Sequence, residues 1–159
     1  MKTLFILTCL VLSPALMAAG SDSDSSSSGG GYGSDPLDRF NLSAEMVKTK
    51  ELISEENYKS AIRQLNEIVK NDWRNADAWN LMGYSQRKLG QYKKARKSYA
   101  RALKYNPEHK GALEYQGELF ITLKELDRAK ANQRKLQELC PEGCEELTDL
   151  NNALSAVSG

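Results

Sequence analysis

Between Gln91 and Tyr105 two kinds of position interleave. Tyr92, Ala95, Tyr99 and Ala102 recur at spacings of three, four and three, and Lys94, Lys97, Arg101 and Lys104 recur at the same spacings. At 3.6 residues per turn each set forms one stripe, so the stretch predicts an amphipathic helix with a buried face of rings and alanines and a basic outer stripe. The final residues repeat the arithmetic: Leu147, Leu150, Leu154 and Val157 are spaced three, four and three, which predicts a closing helix over about 144–157. Beyond Asp35-Pro36 the chain has few runs of Val, Ile or Thr and no Asn-Gly or Asp-Gly turn, while Ala, Leu, Lys, Glu, Gln and Arg are everywhere. Helices should therefore dominate. Breaks fall at about 54–57, 71–75, 89–91, 105–108, 123–125 and 140–143, giving helices of roughly 12–16 residues joined by short connectors.

Such even spacing implies a repeat, and a 34-residue step brings it out. Tyr58 falls on Tyr92 and Leu126, Ala61 on Ala95 and Ala129, Leu65 on Tyr99 and Gln133, Ile68 on Ala102 and Leu136, and Trp73 on Pro107 and Pro141. In the preceding helices Gly83 falls on Gly117 and Trp79 on Leu113. Small residues at a crossing let two helices approach closely, rings fill the space toward the next pair, and Pro closes a unit because it cannot continue a helix interior.

The pattern Trp79-x2-Met82-Gly83, then Tyr92, Ala95, Tyr99, Ala102 and Pro107, resembles the tetratricopeptide repeat. The resemblance implies an all-α fold, a right-handed α-solenoid of three helix pairs over about 42–75, 76–109 and 110–143 plus the capping helix. The middle unit matches best, departing at Met82 and at Gln86, where a ring is usual. Unit one has Glu45 and Thr49 in place of the Trp and Gly, and unit three has Gln133 at the ring position. Degenerate end units are expected where a face meets solvent.

In this family the concave groove is lined mainly by the first helix of each pair. Carried over residue by residue, that implies Met46 and Lys50 in unit one, Asp77, Asn80, Tyr84, Arg87 and Lys88 in unit two, and Glu114, Glu118 and Ile121 in unit three. The family's carboxylate clamp for a chain terminus is not reproduced, because Met46 and Leu81 stand where polar clamp groups would be needed. A peptide making both apolar and charged contacts, extended or helical, fits this groove better.

The first residues read differently. Lys2, an apolar run from Leu4 to Leu12, Ser13-Pro14, and small residues at Ala18, Ala19 and Gly20 mark residues 1–19 as a signal peptide. A permanent anchor would need about 18–20 apolar residues. Residues 20–35, mostly SDSDSSSSGGGYGS, lack the apolar surface to offset chain entropy and read as a flexible linker spanning on the order of 20 Å, ahead of a repeat domain over 36–159. Export to the periplasm or beyond is the expected localisation. Removal of the leader takes Cys9 with it and leaves Cys140 and Cys144 in a compartment where disulfides persist.

The ending ELCPEGCEEL resembles the tail of a group of secreted bacterial tetratricopeptide proteins that close on Cys-Pro-x-Gly-Cys-Glu-Glu. Pro141 would end the helix and Gly143 permit a reversal, putting the two sulfurs within reach of a bond that staples the cap to the last repeat. So short a loop contributes on the order of 2 kcal/mol. A redox pair is disfavoured by the three-residue spacing and the absence of a βαβ context. A metal site lacks further ligands, since His109 is the only histidine and reads as a solvated loop residue. No phosphate loop, nucleophile elbow or zinc-protease motif is present, and the Glu114/Glu118 pair reads as a solvated face. No cofactor and no enzymatic activity are expected.

With 22 Lys and Arg against 21 Asp and Glu the formal charge is +1, so net charge points to no polyanion. Its distribution is uneven. Residues 87–110 hold nine basic residues and one acid, Glu108, whereas 138–149 hold five acids and no base. The stripe Lys94, Lys97, Arg101 and Lys104 fits an acidic protein or weak contact with an anionic membrane surface. Nucleic acid is disfavoured by the leader and by the lack of an aromatic stacking stripe. The function expected is that of an exported adaptor binding a protein or peptide partner, with a structural subunit of an envelope complex or homo-oligomer as the alternative. Oligomeric state is left open.

Overall fold

The computed structural model describes residues 44–157. The expected signal peptide with Cys9, the expected linker and Leu42 at the start of unit one lie outside the described residues. Seven helices follow one another: α1 (Ala44–Ser54), α2 (Tyr58–Asn71), α3 (Ala76–Lys88), α4 (Tyr92–Tyr105), α5 (Lys110–Thr122), α6 (Leu126–Leu139) and α7 (Glu145–Ser155). No strand occurs among the described residues. Each expected break lies between two of these helices. The pairs α1/α2, α3/α4 and α5/α6 form hairpins that stack in series, with α7 packed on α5 and α6. Helix α3 also touches α5, and α5 touches α7, while no two even-numbered helices make a comparable contact. The odd helices therefore line the inner side of the curve and the even helices splay on the outer side.

The 34-residue step is visible in burial. Ala61, Ala95 and Ala129 are all fully buried, as are Leu65 and Tyr99, and Ala102 and Leu136. At the α3–α4 crossing the helices meet so closely that a Cβ on Gly83 would lie 2.6 Å from the Tyr99 ring. Tyr99 then reaches on to Tyr115 and Leu119 of the next hairpin. Gln86, at a ring position, instead accepts a buried hydrogen bond from the Ser98 hydroxyl at 2.8 Å, tying α3 to α4. In unit three the ring is replaced by Gln133, and the vacancy is filled from elsewhere: a Cβ on Gly117 would lie 2.7 Å from Leu150 of α7. The Gln133 amide donates to Asn151 of the same helix at 2.6 Å, so α7 supplies both the apolar plug and a polar tie. Leu150 and Leu154 are buried and Leu147 is half-buried. Val157 falls outside this stripe: α7 stops at Ser155, and the Val157 side chain is 48% exposed.

The connectors repeat as well. Glu56, Gly90 and Lys124, 34 residues apart, all have positive φ, at 57°, 71° and 60°. In each, the following amide reaches back five residues to a helix carbonyl: Asn57 to Leu52, Gln91 to Gln86 and Glu125 to Phe120. This is the Schellman closure of a helix C-terminus, for which Gly is the unstrained residue, and Glu56 and Lys124 adopt it without one.

Helix starts repeat too. Asn75 Oδ1 accepts from the Ala78 amide at 2.9 Å, and 34 residues on His109 Nδ1 accepts from the Ala112 amide at 3.2 Å. His109 is thus not a solvated loop residue. It is buried as the N-cap of α5, with Nε2 2.9 Å from Asp77, because the position demands an acceptor for orphan amides. Tyr92 also differs from expectation: at the first turn of α4 it is 38% exposed instead of sharing the buried face of Ala95, Tyr99 and Ala102.

Arg96 fastens the second hairpin to the third, and Arg128 of the third hairpin shares its partner. Arg96 of α4 and Arg128 of α6 both bond the Glu125 carboxylate, Arg128 at 3.0 Å, and both guanidinium groups sit over the Phe120 ring. The bond from Arg96, then that from Arg128, holds the Glu125 carboxyl below its ordinary value of 4.5. Cys140 and Cys144 are joined, with Cα atoms 5.8 Å apart, across the turn where Gly143 has φ 94°.

Gly83→Ala forces a methyl into the Tyr99 ring. Overpacking of about 1–3 kcal/mol should outweigh the helix propensity Ala gains, so the urea midpoint falls. Because its folded pKa is lowered, the Glu125 carboxylate stabilises the fold above its unfolded value, and that contribution disappears as pH falls through the folded value. Glu125→Gln should therefore flatten the loss of stability below about pH 4.5, read from urea midpoints across the acid range.

Candidate functional site

The inner face is built from α1, α3 and α5. Its centre is a run of aromatic rings: Tyr58 at the start of α2 meets Tyr84 edge-on at 6.3 Å between centroids, and Tyr84 meets Tyr115 of α5 at 5.1 Å. Two cations lie over them. The Arg87 guanidinium is 5.6 Å from the Tyr84 ring and 5.9 Å from that of Tyr115, and the Lys88 ammonium is 5.9 Å from both Tyr58 and Tyr84. Helical spacing explains the grouping, since Tyr84, Arg87 and Lys88 lie at i, i+3 and i+4 and so share one face of α3. Arg87 also pairs with Glu118 of α5 at 2.5 Å, so it bridges neighbouring units as well as capping the rings.

Burial raises the Tyr84 phenol above its ordinary pKa, opposed by the Lys88 charge. Burial likewise raises that of Tyr99, which is enclosed beneath Arg87. Both phenols are neutral donors at physiological pH.

The ten groove positions divide by depth. Met46, Asn80 and Glu114 are buried, at 2%, 0% and 2% exposure. Asn80 lies at the α3–α5 seam, its Nδ2 3.4 Å from where a Cβ on Gly111 would stand, and neither amide atom has a hydrogen-bond partner. Lys50, Asp77, Tyr84, Arg87, Glu118 and Ile121 are half-buried and Lys88 is exposed. The surface a ligand would meet is therefore made of one ring, Tyr84, three basic groups, two acids and an aliphatic tip. Tyr58 and Tyr115 belong to this cluster although the helix A pattern does not name them. Tyr58 begins a second helix, and Tyr115 faces the neighbouring hairpin.

On the outer side Lys94, Lys97, Arg101 and Lys104 are all exposed along α4. The Arg101 guanidinium stacks 4.4 Å from the Trp79 ring. Among the described residues no group of three His, Cys, Asp or Glu side chains is placed to hold a metal. No described helix is long and apolar enough to cross a membrane.

Residues 76–109 match the family described as tetratricopeptide repeat. No match is found among curated proteins. Solved structures with a similar fold include the type III secretion translocator chaperone SycD of Yersinia enterocolitica (20% identity over 70% of this chain and 87% of that one, TM-score 0.64). The TPR2B domain of yeast Sti1 in complex with pHsp70 is 17% identical over 70% of this chain and 94% of that one, with a TM-score of 0.64. The second TPR domain of human RPAP3, in complex with the HSP70 peptide SGPTIEEVD, is 21% identical over 69% and 91%, with a TM-score of 0.61. With α3 and α4 matching a tetratricopeptide repeat in sequence and the hairpin stack sharing the fold of these domains, the chain has an all-α helical-repeat fold with a tetratricopeptide repeat at residues 76–109.

Proposed function

We propose that the protein is an exported adaptor that holds a peptide segment of another protein against its inner face. The observation that carries this reading is the Tyr58–Tyr84–Tyr115 cluster under Arg87 and Lys88. Half-buried Tyr84, fixed between buried Tyr58 and Tyr115, offers apolar area at low entropic cost, and the cations beside it favour carboxylate neighbours, a combination that suits a peptide with apolar and acidic side chains. Support comes from the yeast Sti1 and human RPAP3 domains of the same fold, which are described in complex with pHsp70 and with an HSP70 peptide. Recognition here would differ from a carboxylate clamp, since Met46 and Leu81 at clamp positions are buried apolar side chains. Export is supported by the leader-like composition of residues 1–19 and by the joined Cys140 and Cys144.

The two groove cations should behave differently. Arg87 holds Glu118 and closes over buried Tyr99, so Arg87→Ala should lower unfolding free energy by about 1–3 kcal/mol. Exposed Lys88→Ala should stay within roughly 0.5 kcal/mol, both read by urea denaturation. The functional test uses purified protein to capture a partner from the export compartment. Tyr84→Ala with Lys88→Glu should abolish capture while helicity and monomeric state are kept. An obligate oligomer in which these substitutions are silent would favour a structural subunit instead.

A further inference from the structure

The outer side carries a second surface that the inner-face reading does not use. Along α4 the exposed cations Lys94, Lys97, Arg101 and Lys104 stand in single file over about 15 Å, at 1.5 Å rise per residue. No acidic side chain among the described residues pairs with any of the four, whereas Arg87, Arg96 and Arg128 are each engaged by a carboxylate. Because the even helices splay, a shallow cleft of about 200 Å³ runs beside this file, with Trp79, Met82 and Gln86 of α3 as its floor and Asn66 of α2 opposite. Arg101 is held in place by its stack on Trp79.

The file ends in a larger recess. Trp73, 54% exposed, meets Tyr105 edge-on at 5.3 Å, and with Arg74 and Lys104 they line a cleft of about 380 Å³. Trp73 stands at the repeat position held by Pro107 and Pro141 in the other units, so the ring is a local addition to the surface, not a closing element of the solenoid. Its indole is wedged between the Tyr105 edge and the Arg74 guanidinium, 4.7 Å from the ring. The two rings thus form an aromatic wall of the recess.

We infer that this surface is a second docking site, for an extended acidic segment of a partner protein that carries one bulky apolar side chain. Its carboxylates follow Lys94, Lys97 and Arg101, and its apolar side chain enters the Trp73–Tyr105 recess beside Lys104. Extended chain advances about 3.3 Å per residue, so roughly five residues span the file. Charge complementarity selects the acid, and the single-file arrangement selects a strand. An anionic bilayer would instead be met by a broad basic field, but the flanking outer helices present Glu67, Asp127 and Glu138 among their exposed side chains. The site is independent of the inner groove, which makes the protein two-faced.

The test titrates the full chain with a fluorescent six-residue Glu/Asp peptide containing one Leu, and in parallel with phosphatidylglycerol vesicles. Binding of the peptide should weaken steeply with salt. It should fall by about tenfold or more in Lys97→Glu with Arg101→Glu, exposed positions whose helicity is checked by circular dichroism. Trp73→Ala should weaken the Leu peptide but leave its Ala counterpart unchanged, and Tyr84→Ala on the inner face should change neither. Failure of the peptide to bind, equal binding by the charge-reversed protein, loss with Tyr84→Ala, or vesicle binding in place of peptide binding would each overturn the inference. Partner capture that survives Tyr84→Ala with Lys88→Glu, with peptide binding behaving as expected, would sink the inner-face reading alone.

Discussion

The distance between two helices at their crossing governs the rest of this structure. Where Gly83 meets the Tyr99 ring, the absence of a Cβ lets the ring lie flat against the α3 backbone, and Tyr99 is then long enough to touch Tyr115 and Leu119 of the following hairpin. A single contact thereby sets spacing within one hairpin and registers the next, which is how a solenoid with only nearest-neighbour contacts keeps a regular curve. Unit three obeys the same constraint with different parts. Having Gln133 in place of a ring, it borrows Leu150 from α7 to cover Gly117, so the last helix completes the repeat as well as capping it.

The helices, their breaks and the buried alanines could be read directly from the amino acids, because each depends on local or periodic features: propensity, a 3.6-residue stripe, a Pro or Gly at a fixed step. Ala61, Ala95 and Ala129 are recognised by spacing alone and are all fully buried. Positions set by backbone conformation were partly hidden. Glu56 and Lys124 adopt the left-handed turn that Gly90 marks openly, and nothing about Glu or Lys announces it. His109 was concealed similarly, since capping depends on a free acceptor in the right place, and a neutral imidazole offers one as Asn75 does.

The inner face was legible to the level of which helix side faces inward and no further. A repeat register assigns Asn80 and Tyr84 to the same surface, but burial depends on how closely α5 approaches. The approach of α5 encloses Asn80 and leaves Tyr84 half open. Tyr115 joins the cluster through that same approach. Trp73 was visible only as a departure, a ring where its counterparts are Pro107 and Pro141, and its exposure follows from lying at the turn between α2 and α3.

The two faces differ in how their charges are spent. On the inner side Arg87 is shielded on Tyr84 and Tyr115 and neutralised by Glu118 from the next unit, so much of its interaction energy goes to holding α3 against α5. On the outer side Lys94, Lys97, Arg101 and Lys104 have no such obligations, since no carboxylate among the described residues pairs with them. Curvature contributes to this difference: α3 and α5 come close enough to pair Arg87 with Glu118, while the four-cation file on α4 is left to solvent. Contacts on the inner side are partly desolvated and lose little to screening, while those on the outer side are governed by ionic strength. A stack of nearly neutral net charge can thus present one face that recognises shape and another that recognises charge.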